Sequence, residues 1–91
     1  MPYILKHAET GEIAAAMLRN VYDLDYYGTE WWEAEEQALL AAGRRRNGGW
    51  IPVRVEESRL KLMNVKLNND PNRKLFMDDN GALRLEKSSA F

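Results

Sequence analysis

His7 is the only imidazole in the chain, and there is no cysteine. A catalytic triad, an imidazole general base or a histidine-bound metal would all have to be assembled on that one residue. His7 follows Lys6 at the end of the short apolar run Tyr3-Ile4-Leu5, and no carboxylate is fixed beside it by helical spacing. This is the setting of a half-buried strand histidine. Glu30, Glu33, Glu35 and Glu36 are the densest carboxylates. Glu30 and Glu33 sit close together on a helix, but a hard cation needs more oxygens than these two supply. An acidic first turn on a solvated helix face accounts for all four. Asp78-Asp79-Asn80-Gly81 lacks the alternating ligands and closing glutamate of an EF-hand loop, so it reads as a hairpin turn. With no nucleophile–base pair, no metal-ligand spacing and no glycine-rich phosphate loop, the expectation is a chain that is not an enzyme and holds no cofactor or metal.

Two clusters suit binding. Five of the nine aromatic residues, Tyr22, Tyr26, Tyr27, Trp31 and Trp32, fall within eleven positions. Neighbours on a helix point about 100° apart, so Trp31 and Trp32 cannot both face one core. Tyr26, Tyr27, Trp31 and Trp32 are therefore the candidate protein interface, since exposed Trp and Tyr are enriched at hot spots. The second cluster is Arg44-Arg45-Arg46 followed by Trp50. Guanidinium groups grip phosphates bidentately and an indole stacks on a base, which makes these four the candidate nucleic-acid site. The structural alternative is that cations complement the C-terminus of the preceding helix.

The charge pattern bears on partners. Residues 1–42 carry two basic side chains against eight acidic ones, a balance of −6, and residues 43–91 carry eleven against six, a balance of +5. The overall charge of −1 conceals this. Such polarity implies an oppositely charged partner, and an acidic half beside a basic half also allows a homodimer. On that reading self-association weakens between about 50 and 500 mM salt, where screening shortens. A pI near 5.8 counts against nucleic acid, because such domains commonly lie above about pI 9.

Elements must position these residues. Tyr3–His7 suits a strand, and Ala8 to Glu12 a turn with Gly11 free to take positive φ. Residues 13–24 support two readings: Ile13, Met17, Val21 and Leu24 share a helical face, while a return strand would point Ile13, Ala15 and Met17 inward and expose Leu18. Asp23 to Gly28 reads as irregular. Thr29 suits an N-cap, with Glu30 and Glu33 in the first turn, a Trp31, Ala34, Ala38, Ala41 stripe flanked by Trp32 and Leu39, and Gly43 as the C′ residue. Trp50 to Glu56 alternates as a strand, with Pro52 arguing for an edge. Glu57 to Leu67 suits a helix, Asn64, Asn68, Asn69 and Asn72 suit caps and turns, and Asn80-Gly81 marks a terminal hairpin.

The expected fold is α+β: a small antiparallel sheet of N-terminal strand, central strand and C-terminal hairpin, packed by two to three short helices. Ninety-one residues suit one domain over 1–91, with a frayed tail from about residue 87. Absence of cysteine fits a reducing cytoplasm. No apolar h-region follows Met1, and no apolar run approaches the roughly 20 residues of a membrane span, so neither a leader nor a membrane is expected. Function is expected to be protein binding through the acidic aromatic half, with nucleic-acid binding as the alternative.

Overall fold

The computed structural model describes residues 1–87, so the expected frayed tail lies, past Lys87, outside the described residues. Along the chain run β1 (Tyr3–His7), β2 (Ala15–Arg19), β3 (Asp25–Thr29), α1 (Glu35–Arg44), β4 (Trp50–Arg54), α2 (Glu57–Leu67), β5 (Arg73–Met77) and β6 (Leu83–Lys87). The architecture is α+β, with two helices and three antiparallel pairs, β1–β4, β2–β3 and β5–β6. No described helix is long and apolar enough to cross a membrane.

The three pairs are tied together by residues 11–14. On one side the His7 N–H donates to Glu12 O (2.8 Å) and the Ala14 N–H to Leu5 O (2.9 Å). On the other, the Ile13 N–H donates to Leu75 O and the Met77 N–H to Gly11 O, both at 2.8 Å. Gly11 takes φ +79°, and a Cβ there would stand 2.6 Å from Met77 O, so only glycine closes this turn.

Alternation along the extended backbone sorts side chains onto two faces. Ile4 and Ile13 pack with Val55, Met63, Leu67, Leu75 and Met77 beneath α2. Leu5 and Ala14 pack with Ala38 beneath α1, beside Tyr3, Trp32 and Trp50. The apolar run of β1 is thus explained by a strand covered on both faces.

The structure decides the 13–24 ambiguity for strand. Alanine favours helix, but Ile13 and Ala14 must enter opposite layers, which only an extended chain allows. Met17 lies on the same face as Ile13 and Ala15 yet is 57 % exposed, and Leu18 is half-buried rather than exposed. The strand partner is β3, in the register Ala15↔Thr29 to Arg19↔Asp25, so the segment expected to be irregular is a strand. The β2–β3 turn was disguised by lacking glycine. The Asn20 N–H donates to Leu24 O, the Asp23 N–H donates to Asn20 O, and Asn20 Oδ1 accepts from the N–H groups of Tyr22 and Leu24. Asp23 fills the left-handed position at φ 65°. Asp78 to Ala82 repeats the same bonding, with Gly81 at φ +84°. Both are three-residue loops ending in a left-handed residue.

Thr29 is not an N-cap. It ends β3, fully buried, and the chain stays extended through Trp32, which exchanges two backbone bonds with Tyr3 (2.8 and 2.9 Å). The helix therefore starts late, with Glu35 and Glu36 in its first turn. Its first turn is closed by the Ala34 N–H donating to Gln37 Oε1. Gly43 is not the C′ residue but lies inside α1, and Arg45 caps the helix in an extended conformation (φ −75°, ψ 143°). Pro52 falls in edge strand β4, opposite Leu5, where its missing N–H costs no ladder bond.

The outer edge of β3 ends in side-chain amides. Asn69 Oδ1 accepts the Tyr27 N–H (2.7 Å) and Asn64 Oδ1 the Thr29 N–H (2.9 Å), so α2 docks where another strand would pair. Gly28 makes room: a Cβ there would lie 2.8 Å from the Tyr26 ring and 3.0 Å from Asn64 Oδ1. Replacing Asn64 by Ala strands a buried N–H and should cost about 1–3 kcal/mol in urea unfolding. Asn64→Asp keeps an acceptor and should cost clearly less.

Candidate functional site

Because residues 30–32 are extended rather than helical, Trp31 and Trp32 point to opposite sides. Trp32 packs into the α1 layer with Leu5, Ala14 and Ala38. Trp31 is 42 % exposed and borders three concavities. One, of about 420 Å³, runs between Trp31, Trp32 and the Gln37–Leu40–Arg44 side of α1. A second, about 360 Å³, is walled by Leu18, Tyr26 and Glu30. The third, about 210 Å³, lies between Trp31, Met1 and the start of α2.

Tyr26 joins this surface because Tyr26 pairs with Leu18 across the β2–β3 ladder, and both line the second concavity. Tyr27 does not join it. Pointing the other way, it packs on the α2 core and donates its hydroxyl to Arg73 O (3.2 Å). Of the four candidate interface residues the fold brings three together and turns the fourth inward. Burial pushes the Tyr27 phenol above its ordinary value, with Glu12 and Asp70 adding to the shift.

The arginine run divides in the same way. Arg45 pairs with Glu30 at 2.6 Å and lies 4.3 Å over the Trp50 ring. The His7 ring meets Trp50 edge-on, with centroids 5.1 Å apart. His7 bonds Gly48 O through Nε2 (3.0 Å) and accepts the Glu9 N–H at Nδ1 (3.2 Å), which fixes the Nε2–H tautomer. Its role is to fasten the 8–11 turn to the 44–49 loop. Arg44 borders the largest concavity, while Arg46, with Asn47, borders an open hollow beside Trp50. Two of the three arginines are thus exposed, and Arg45 and Trp50 are committed to each other. Glu30 is drawn into that ion pair, leaving Glu33, Glu35 and Glu36 on the surface. Among the described residues no group of three or more His, Asp or Glu side chains is placed to hold a metal ion.

Sequence reasoning overlooked the β2–β3 tip. Val21, Tyr22 and Leu24 are 93, 80 and 62 % exposed. The signal was present: an Asn and an Asp three residues apart, both tolerant of turn geometry, flank two apolar residues. No protein-family model, curated protein or solved structure matches the chain.

A phenol whose folded pKa is raised contributes stability fully below its unfolded value, near about 10, and that contribution is lost as pH rises through the folded value. Stability should therefore decline above about pH 10. Tyr27→Phe should flatten the decline in alkaline urea titrations while costing about 0.5–1.5 kcal/mol at neutral pH for the lost bond to Arg73. An unchanged alkaline limb would assign the decline to other groups.

Proposed function

We propose that the chain is a small, non-catalytic, cytoplasmic protein-binding module of adaptor, regulator or inhibitor type, docking its partner on the surface built from Trp31, Trp32, Tyr26, Leu18 and Leu40. The observation that carries this reading is the position of Trp31, a large exposed aromatic bordering three concavities, next to a tryptophan anchored in the α1 layer. An aromatic held by a rigid neighbour loses little conformational freedom on binding, which is the property of a hot-spot residue. Glu33 and Arg44 border the trough and supply a polar rim of both signs.

The nucleic-acid alternative keeps Arg44 and Arg46 as exposed cations. It has less support, because the ring that would stack on a base is already covered by Arg45 and His7.

Trp31→Ala should leave the thermal transition nearly unchanged and abolish capture of the partner on immobilised protein. Arg46→Ala should retain it. Trp32→Ala should instead lower stability by about 3 kcal/mol, as for a buried aromatic. Identical capture by wild type and Trp31→Ala would overturn the reading. A saturable, salt-sensitive change in tryptophan emission with oligonucleotides, lost in an Arg44→Ala/Arg46→Ala double variant, would replace it with the nucleic-acid one.

A further inference from the structure

The sheet edges are not treated alike. An unpaired edge strand templates pairing with another chain unless something blocks it. β4 carries Pro52 in the middle of its edge. The outward N–H groups of β3 are taken by Asn69 and Asn64. β6 is dense in charge, with Arg84, Glu86 and Lys87, and Arg84 pairs with Glu86 along the strand. β2 has none of these devices. Its sequence is Ala-Ala-Met-Leu-Arg, and its one charge, Arg19, is drawn back onto its own hairpin by Asp23 and Asp25, each at 3.2 Å.

The bonding parity shows which groups are open. The Asn20 N–H bonds Leu24 O and the Glu30 N–H bonds Ala14 O, so even-numbered residues carry the ladder to β3. The backbone groups of Ala15, Met17 and Arg19 point outward, and among the described residues no hydrogen bond to them is present beyond the β2–β3 ladder. The same hairpin carries four exposed large apolar residues, Met17, Val21, Tyr22 and Leu24. Exposed apolar groups concentrated in this way mark an interaction surface.

We propose that the outer edge of β2 is a homodimer interface, in which β2 of a second copy pairs antiparallel about a two-fold axis at Met17. The open positions are spaced symmetrically, so Met17 meets Met17 of the second copy while Ala15 and Arg19 exchange places. An isologous contact of this kind closes on itself, and the blocked β3, β4 and β6 edges stop further growth. The register also carries Val21 toward Ile13 of the second copy, so the apolar tip is covered. Arg19 arrives at Ala15 of the second copy, close to Glu12, which has no ion pair among the described residues.

This dimer differs from the acidic-to-basic pairing that the charge pattern suggests. Glu30 and Arg45 already neutralise one another inside the chain, and the edge contact rests on backbone bonds and apolar burial. It is independent of the docking surface at Trp31.

Sedimentation of the wild-type protein should give twice the 10.5 kDa chain mass, persisting at about 500 mM salt, where exposed charges are screened. Met17→Lys places like charges at the axis and should give a monomer with an unchanged far-UV spectrum, because Met17 is mostly exposed. The chain has no cysteine, so Met17→Cys introduces a single thiol. Facing Cα atoms in a bonded antiparallel pair lie about 5.5 Å apart, within disulfide range. Diamide should therefore link Met17→Cys into a covalent dimer and leave Leu85→Cys, on the β6 edge, unlinked. A monomeric wild type, a dimer dissolved by salt, a dimer that survives Met17→Lys, or equal cross-linking at both positions would each overturn the proposal.

Discussion

The backbone of residues 11–14 has to satisfy two neighbours at once. It gives hydrogen bonds to β1 on one side and β5 on the other, although it is too short to pair as a full strand with either. Its side chains answer to two layers, Ile13 to the α2 core and Ala14 to the α1 core. Remove it and the β1–β4 and β5–β6 pairs have no bonded path between them, and each helix loses part of the surface it covers. Two-stranded pairs are marginal alone. Here three of them are stabilised by sharing this short tether, and the conformation of Gly11 makes the tether possible.

What could be read from the chain in advance follows from the same fact. Elements governed by local rules were legible: α2, the Asn80-Gly81 hairpin, the turn at Gly11 and the edge position of Pro52. Elements governed by distant partners were not. Thr29 has every local mark of an N-cap, yet its N–H is claimed by an asparagine 35 residues away. Helix α1 starts six residues later because Trp32 is bonded to Tyr3 across the fold. Gly43 resembles a helix terminator, but Arg45 ends the helix by turning toward Glu30 and Trp50. In each case a long-range bond overrode a local preference.

The candidate sites show the same division. Expecting one of two adjacent tryptophans at the surface was sound, though the reason differs, because extended alternation replaces helical rotation. Alternation also separates Tyr26 from Tyr27, which no composition argument would do. The charge segregation is partly resolved within the molecule, where Glu30 of the acidic half meets Arg45 of the basic half. Their contact is half-buried and stacked on an indole, so it serves to hold the 44–49 loop in place.

The close fit of Gly28 against Asn64 has a consequence for how this chain can change over evolutionary time. A side chain at position 28 would collide with the Tyr26 ring and with the amide that accepts the Thr29 N–H. Positions 26, 28 and 64 therefore cannot drift independently. A lineage that acquires alanine at 28 must shorten or replace the residue at 64 and find another acceptor for Thr29, or lose the docking of α2. In related chains these positions should covary as one unit, a signature of a helix that substitutes for a missing strand.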